Sequence, residues 1–357
     1  MTAALVALSG LPGMGPARLR AVLARCEPEE AWARVLRGEV DADGVPAHVC
    51  DRWRAAASTV DVDALWRAHR DAGVRVVREG DAEFPPMLAD DPEPPVLLFV
   101  RGSLDALHDR RVAVVGTRRC TWSGRLVARS LGEELAGAGV CVVSGLALGI
   151  DGEAHAGALR AGGRPIAVVA TGIDVVYPRR HAQLWAQVAA AGAVVSEYPL
   201  GTPPERWRFP ARNRLIAALA EVVVVVESGA SGGSLHTVDA ALERDRPVLA
   251  VPGPVRSPAS AGTNGLLAAG CPPCRDAADV LVALGLTAAA APRASAASAP
   301  DDPEAARVLD ALGWEPATLD ELAERLDAPL GPVAVHLTRL ANAGWVVQRS
   351  GWWERAR

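Results

Sequence analysis

Between residues 110 and 285 short runs of β-branched residues alternate with stretches of helical spacing, and few folds tolerate that rhythm. The apolar runs are Val112–Val115, Val140–Val143, Ile166–Ala170, Ala193–Val195, Val222–Val226 and Val248–Val251. Between them the spacing predicts helices over Leu126–Ala138, Glu153–Ala161, Gln183–Ala191, Arg212–Ala220 and Leu235–Arg244. A strand that is apolar at every position buries both faces, and crossover helices between parallel strands are what cover them. The expectation is an α/β fold with a Rossmann-like, doubly wound parallel sheet. In that architecture ligands bind at the carboxyl ends of the strands.

The flanks read differently, and 357 residues suit two or three domains. Residues 1–73 have helical spacing on both sides of Leu11-Pro12-Gly13-Met14-Gly15-Pro16. This looks like a helix-hairpin-helix or SAM-like module. Its turn can offer N–H groups to a phosphate, or the module can serve packing alone, and its surroundings are acidic. Residues 74–109 read as a connecting segment, broken at Phe84-Pro85-Pro86 and at Pro92-Glu93-Pro94-Pro95, with Val96–Val100 strand-like. Residues 286–303, rich in Ala, Pro and Ser, read as a flexible linker. In residues 304–357, Thr318-Leu319-Asp320-Glu321 is a capping-box pattern and Pro332–Ala343 a second helix. Trp345–Arg349, a Ser350-Gly351 turn and Trp352–Arg355 complete a hairpin, and helices followed by a hairpin imply a winged helix.

Charge is unevenly spread along the chain. The net −5 divides into −6 over residues 1–109, +7 over 110–214, and −3 each over 215–285 and 286–357. One basic block inside an acidic chain points to a polyanion, unless its arginines pair with acids elsewhere in the fold. All 37 basic residues are arginine, which excludes a lysine Schiff base and a P-loop lysine.

Small-residue turns follow the strands: Gly116-Thr117-Arg118, Ser144–Asp151, Thr171-Gly172-Ile173-Asp174 and Ser228–Ser234. Small residues let backbone approach a ligand, and the N–H groups of the following helices stabilise anions. Arg206-Trp207-Arg208-Phe209-Pro210-Ala211-Arg212-Asn213-Arg214 interleaves cations with aromatics, the pattern single-strand binding uses for phosphates and bases. The same run also suits a charged helix start with Phe209 in the core.

These motifs, with His155, Tyr177-Pro178, Ser196-Glu197, Val251-Pro252-Gly253 and Gly262-Thr263-Asn264, occur in an order and spacing that resembles the DNA-processing protein A (Smf) family of bacterial recombination mediators. The resemblance implies single-stranded DNA and the RecA recombinase as partners, a homodimer, and a role in DNA uptake and competence. It places the family's phosphate-pocket arginine on Arg118, its aromatic and basic pocket residues on Phe209, Arg212 and Arg214, and an upstream basic position on Arg206. With the turns, the candidate DNA-binding set is Gly116, Thr117, Arg118, Ser144, Gly145, Arg206, Phe209, Arg212, Asn213, Arg214, Gly232, Gly233 and Ser234. One departure is Gly232-Gly233-Ser234-Leu235-His236-Thr237, where the family reads Ser-Gly-Ser-Leu-Ile-Thr.

No cofactor and no metal are expected, and the reading is a binding protein rather than an enzyme. Cys271-Pro272-Pro273-Cys274 lacks the second pair a zinc site needs. Gly229–Gly233 fits a nucleophile elbow, but the only histidine after His236 is His336. No Gly-x-Gly-x-x-Gly opens the first helix. The competing reading is a Rossmann-like nucleotide-binding hydrolase or transferase. Scattered cysteines, no basic leader before Ser9 and no long apolar span give a cytoplasmic expectation with no membrane contact.

Overall fold

The computed structural model describes residues 2–40, 42, 44–286, 300, 302–313, 315–349 and 351–355. They form two units, divided near residue 291. Most of the expected linker, 287–299, lies outside the described residues, as does Ser350 of the expected turn.

The first unit opens with α1 (Thr2–Ser9), α2 (Pro16–Leu23), α3 (Pro28–Arg37), α4 (Ala47–Ala57) and α5 (Val62–Asp71). Pro16 begins α2, where its missing N–H costs nothing. The fully buried Trp53 donates its indole N–H to the Pro12 carbonyl at 3.0 Å and so pins the hairpin before α2. Next come β1 (Arg75–Arg78), α6 (Pro86–Ala89) and β2 (Leu97–Gly102).

The alternating region follows: β3 (Arg110–Val115), α7 (Trp122–Gly137), β4 (Val140–Ser144), α8 (Ile150–Arg160), β5 (Ile166–Val169), α9 (Ala182–Ala191), β6 (Ala193–Ser196), α10 (Arg208–Leu219), β7 (Val222–Val225), α11 (Leu235–Leu242), β8 (Val248–Ala250), α12 (Ala261–Ala268) and α13 (Ala277–Ala283). The six expected strands all form. Helix α10 starts a turn earlier than its spacing predicts, because Pro210 falls in the first turn, where no backbone N–H is required. Helix α7 likewise starts early, behind the Thr121 hydroxyl that caps it.

One eight-stranded sheet has the order β1-β2-β6-β5-β4-β3-β7-β8. Strands β3 to β8 pair in parallel, with Val112 opposite Val222 and Ile166 opposite Ala193. The chain lays β4, β5 and β6 on one side of β3, then returns to lay β7 on the other. The crevice between β3 and β7 is therefore the topological switch point. Successive side chains of β3 enter different cores. Val112 and Val114 pack with Leu131 and Leu135 of α7, while Ala113 and Val115 pack with Leu215 and Leu219 of α10.

Residues 74–109 do more than connect. β2 pairs antiparallel with β6, Phe99 opposite Ser196, and β1 pairs antiparallel with β2, so the sheet gains two strands. Leu97 and Phe99 share a core with Leu5, Leu8 and Trp53, which seats the N-terminal helices on the sheet. The proline-rich loop before β2 is tied down at three points. Asp91 accepts from Arg244, just after α11, at 2.6 and 2.9 Å, the Glu93 carbonyl accepts from Arg214 of α10 at 2.7 Å, and the Pro94 carbonyl accepts from Arg20 of α2.

The second unit contains α14 (Pro303–Leu312), β9 (Ala317–Thr318), α15 (Leu319–Leu326), α16 (Leu330–Asn342), β10 (Val346–Arg349) and β11 (Trp352–Arg355). Its antiparallel sheet runs β10-β11-β9, and Leu309, Leu322, Leu337 and Trp353 form its core. The expected capping box is present, with both Thr318–Glu321 hydrogen bonds made. Helices backed by this hairpin make a winged helix.

Candidate nucleic-acid interface

The loops after β3, β4 and β5 and the first turns of α10 enclose a small cavity of about 40 Å³. Arg118, Gly145, Tyr177, Phe209 and Arg212 are among the residues that line it. Four members of the candidate set thus meet here, although up to 94 residues separate Arg118 from Arg212 in sequence (212 − 118). The Arg118 guanidinium lies over the Phe209 ring, 4.6 Å from its centroid, and the Tyr177 ring leans on Phe209 at 5.6 Å. Arg118 is exposed and has no acidic partner among the described residues. A cation over an aromatic face and open to solvent is equipped to take a phosphate while the ring takes a base. Arg118 and Tyr177 both lie against Phe209, so a base that stacks on the ring takes the place of one of them.

Arg212 has a different job. It is buried, and its Nη1 donates to the Gly145 carbonyl at 2.8 Å and to the Val168 carbonyl. A Cβ on Gly145 would stand 2.6 Å from that guanidinium, so a side chain here would push Arg212 out of its place. Burial lowers the Arg212 pKa to about 10, and the neighbouring Asp151 opposes the shift. Asp151 accepts the Gly145 N–H at 3.1 Å; burial raises its pKa, and Arg212 opposes that shift. Arg212 remains a cation at neutral pH and braces the β4 and β5 loops.

The remaining candidates lie around this centre. Gly116 and Ser144 are structural here: Gly116 packs against Ile150, and the Ser144 hydroxyl donates to the Val114 carbonyl at 2.6 Å. Thr117 donates its N–H to the Glu227 carbonyl at 2.7 Å. Arg206 is exposed just before α10. Asn213 donates to the Gly233 carbonyl at 3.2 Å, placing Gly232, Gly233 and Ser234 along one flank of α10 rather than in the cavity. Arg214 faces the other side of the helix. There it pairs with the buried Glu197, whose pKa burial raises to about 7 against the opposing effect of Arg214 itself. Tyr177 earned no place in the set from the residues alone, because a lone exposed tyrosine in a loop carries no periodic signal.

The basic block is partly neutralised. Of its fourteen arginines, Arg110, Arg111, Arg129, Arg160, Arg164, Arg208 and Arg214 have carboxylate partners. Arg118, Arg119, Arg125, Arg179, Arg180 and Arg206 have none among the described residues, and all six are exposed.

The switch point itself is filled from within. Glu227, just after β7, accepts the Thr121 N–H at 2.8 Å and the Thr121 hydroxyl at 2.5 Å. Its carboxyl carbon sits 2.4 Å from where a Cβ on Gly124 would be. A carboxylate of the chain therefore occupies the N-terminus of α7, where a pyrophosphate sits in dinucleotide-binding relatives of this fold.

Comparison with known proteins then decides the family. The sequence profile of the DNA recombination-mediator protein A family matches residues 75–285, and that of the DprA winged helix domain matches 290–351. The chain belongs to the DNA recombination-mediator protein A family. Protein Smf of Escherichia coli (strain K12) is 40% identical over 285 residues, covering 78% of this chain and 76% of that protein. The X-ray structure of DNA processing protein A from Streptococcus pneumoniae superposes with a TM-score of 0.65 at 31% identity, covering 79% of this chain and 98% of that one. A DNA processing protein A structure from Helicobacter pylori, described for its single-stranded DNA binding mode, gives a TM-score of 0.53 at 30% identity over 59% of this chain and 95% of that one. The family places this chain among DNA recombination mediators. No helix among the described residues is long and apolar enough to cross a membrane.

Proposed function

We propose that this protein binds single-stranded DNA without regard to sequence and holds it for the RecA recombinase, as a cytoplasmic homodimer serving DNA uptake. One observation carries the reading: an acid-free Arg118 stacked on Phe209 at the carboxyl edge of the sheet. In this reading Arg118 and Arg206 contact phosphates and Phe209 stacks a base. Gly145 supports the approach of the strand, while Asn213 and Gly232–Ser234 border its path. Arg212 positions the loops rather than contacting DNA. The homodimer and RecA come from the family, and a pair of such sites on one strand would add avidity.

The competing reading, a nucleotide hydrolase or transferase, requires the switch point for phosphates. The Glu227 carboxylate already stands at that helix terminus, held by Thr121, so a bound phosphate would meet a carboxylate. This favours a binding protein over an enzyme.

The test is equilibrium binding of a labelled oligonucleotide and its duplex over a salt series. Single strands should bind more tightly, and Arg118→Ala should lower the salt slope by about 0.7 and the affinity at every sequence. Equal affinity for duplex, with Arg118→Ala without effect, overturns the reading. In the same preparation the protein should speed RecA assembly on strands coated with single-strand-binding protein; no acceleration despite tight DNA binding removes the mediator role.

A further inference from the structure

Helix α10 has a second face, and it borders a larger groove. Trp207, Ala211 and Arg214 recur at helical spacing on the side opposite Phe209 and Arg212. They line a groove of about 490 Å³ whose far wall is the hairpin of the N-terminal module, with Gly15, Arg18 and Arg20. Trp207 is 43% exposed, an unusual position for the largest apolar side chain. The Arg208 guanidinium covers one face of its ring, 5.0 Å from the centroid, and the buried Tyr198 meets it edge-on at 6.2 Å. The ring is thus held in place while it still borders open space. A Cβ on Gly15 would touch it at 3.4 Å, so the hairpin approaches closely.

The charges in this groove are mostly positive. Arg214 is committed to Glu197 and Glu93, which also accounts for the acid in the wall. Arg18 makes only a hydrogen bond to the Gly13 carbonyl at 2.8 Å, and Arg20 one to the Pro94 carbonyl; neither has a carboxylate partner among the described residues. A pinned aromatic ring, its indole N–H donated to the Glu205 carboxylate, beside two arginines that make no carboxylate contact resembles, on the other side of one helix, the pairing of Arg118 with Phe209. The exposed Arg206 lies in sequence just before the helix that separates them.

We infer that this groove is a second nucleotide subsite. A single strand leaving Phe209 passes Arg206, stacks a base on Trp207 and sets phosphates against Arg18 and Arg20. The inference rests on the single-strand reading above and extends the DNA path onto the N-terminal module. The occupant is a DNA strand because the groove lies across α10 from the proposed site and shares its charge sign. A helix about 10 Å across separates the two subsites, so only a strand several nucleotides long can reach both.

The experiment compares oligothymidylates of about 4 and about 16 nucleotides, spanning the usual range of single-strand site sizes, by fluorescence anisotropy. Trp207→Ala should weaken the longer oligomer about tenfold and leave the shorter one unchanged, while Trp207→Phe, which keeps a stacking face, should recover most of the loss. Arg18→Ala should lower the salt slope for the longer oligomer alone. Arg118→Ala should weaken both lengths. If Trp207→Ala leaves the longer oligomer unaffected while Arg118→Ala weakens it, the second subsite is wrong and the first stands. If neither variant matters for either length, the single-strand reading fails with it. If a short acidic, aromatic-tipped peptide binds, loses binding in Trp207→Ala, and DNA affinity does not change, the groove belongs to a protein partner and the inference is overturned.

Discussion

At the β3–β7 crevice and at the β3–β4–β5 edge, strand-to-helix turns of the same kind end in opposite electrostatics. In the crevice the chain supplies its own anion: Glu227 accepts both bonds from Thr121, whose hydroxyl in turn caps α7. At the neighbouring edge it supplies cations and leaves Arg118, over the Phe209 ring, without an acid. Only a few ångströms of sheet separate the two, because β3 contributes to both. A Rossmann-like sheet therefore does not by itself dictate a nucleotide site. Which crevice is open depends on where the carboxylates fall, and that is decided residue by residue.

Three substitutions would break or sharpen this contrast. The largest effect is expected at Arg212. Arg212→Met leaves Asp151 buried without its cation and two carbonyls without a donor, and should destabilise the first unit by about 3–5 kcal/mol in urea unfolding. If stability is unchanged while DNA affinity falls, Arg212 is a contact residue rather than a brace. Phe209→Ala comes next. It should leave folding near wild type and cost about 1–3 kcal/mol of single-strand affinity, measured by titration at fixed salt; undiminished affinity would place the base elsewhere. Glu227→Gln should be smallest, costing about 1–2 kcal/mol of stability through the loss of a charged acceptor, with single-strand binding unchanged. Should it instead create phosphate or nucleotide binding, detectable as a thermal shift with added nucleotide, the filled crevice is a suppressed site and the contrast is one of degree.

Much of this was legible in sequence because apolar runs and turn glycines are local signals. All six strands of the alternating region, the winged helix and its capping box follow from patterns within a few residues. The resemblance to the mediator family also brought Arg118, Phe209 and Arg212 onto one list, and the fold brings them to one cavity. What stayed hidden depends on long-range pairing. Arg212 and Arg214 sit two residues apart in one basic run, yet one braces Gly145 and the other is held by Glu197 and Glu93 on the opposite face. No count of charge over 110–214 reveals that half its arginines are matched by acids, several of them, such as Glu221 and Glu93, outside the block. Glu227 likewise looks like the polar end of a strand until Thr121 and Gly124 are found beside it.

The loop of Asp91, Pro92, Glu93, Pro94 and Pro95, which reads only as a place where helices stop, holds α2, α10 and the segment after α11 at once through Arg20, Arg214 and Arg244. Its three prolines have little backbone freedom to lose on folding, so this junction is set with a small entropic penalty. A ligand entering between α2 and α10 then finds the walls already in register, and its binding energy is not diverted into ordering them. Loosening that loop, for instance by exchanging its prolines for glycines, would tax affinity at the groove even though none of the three prolines touches a ligand.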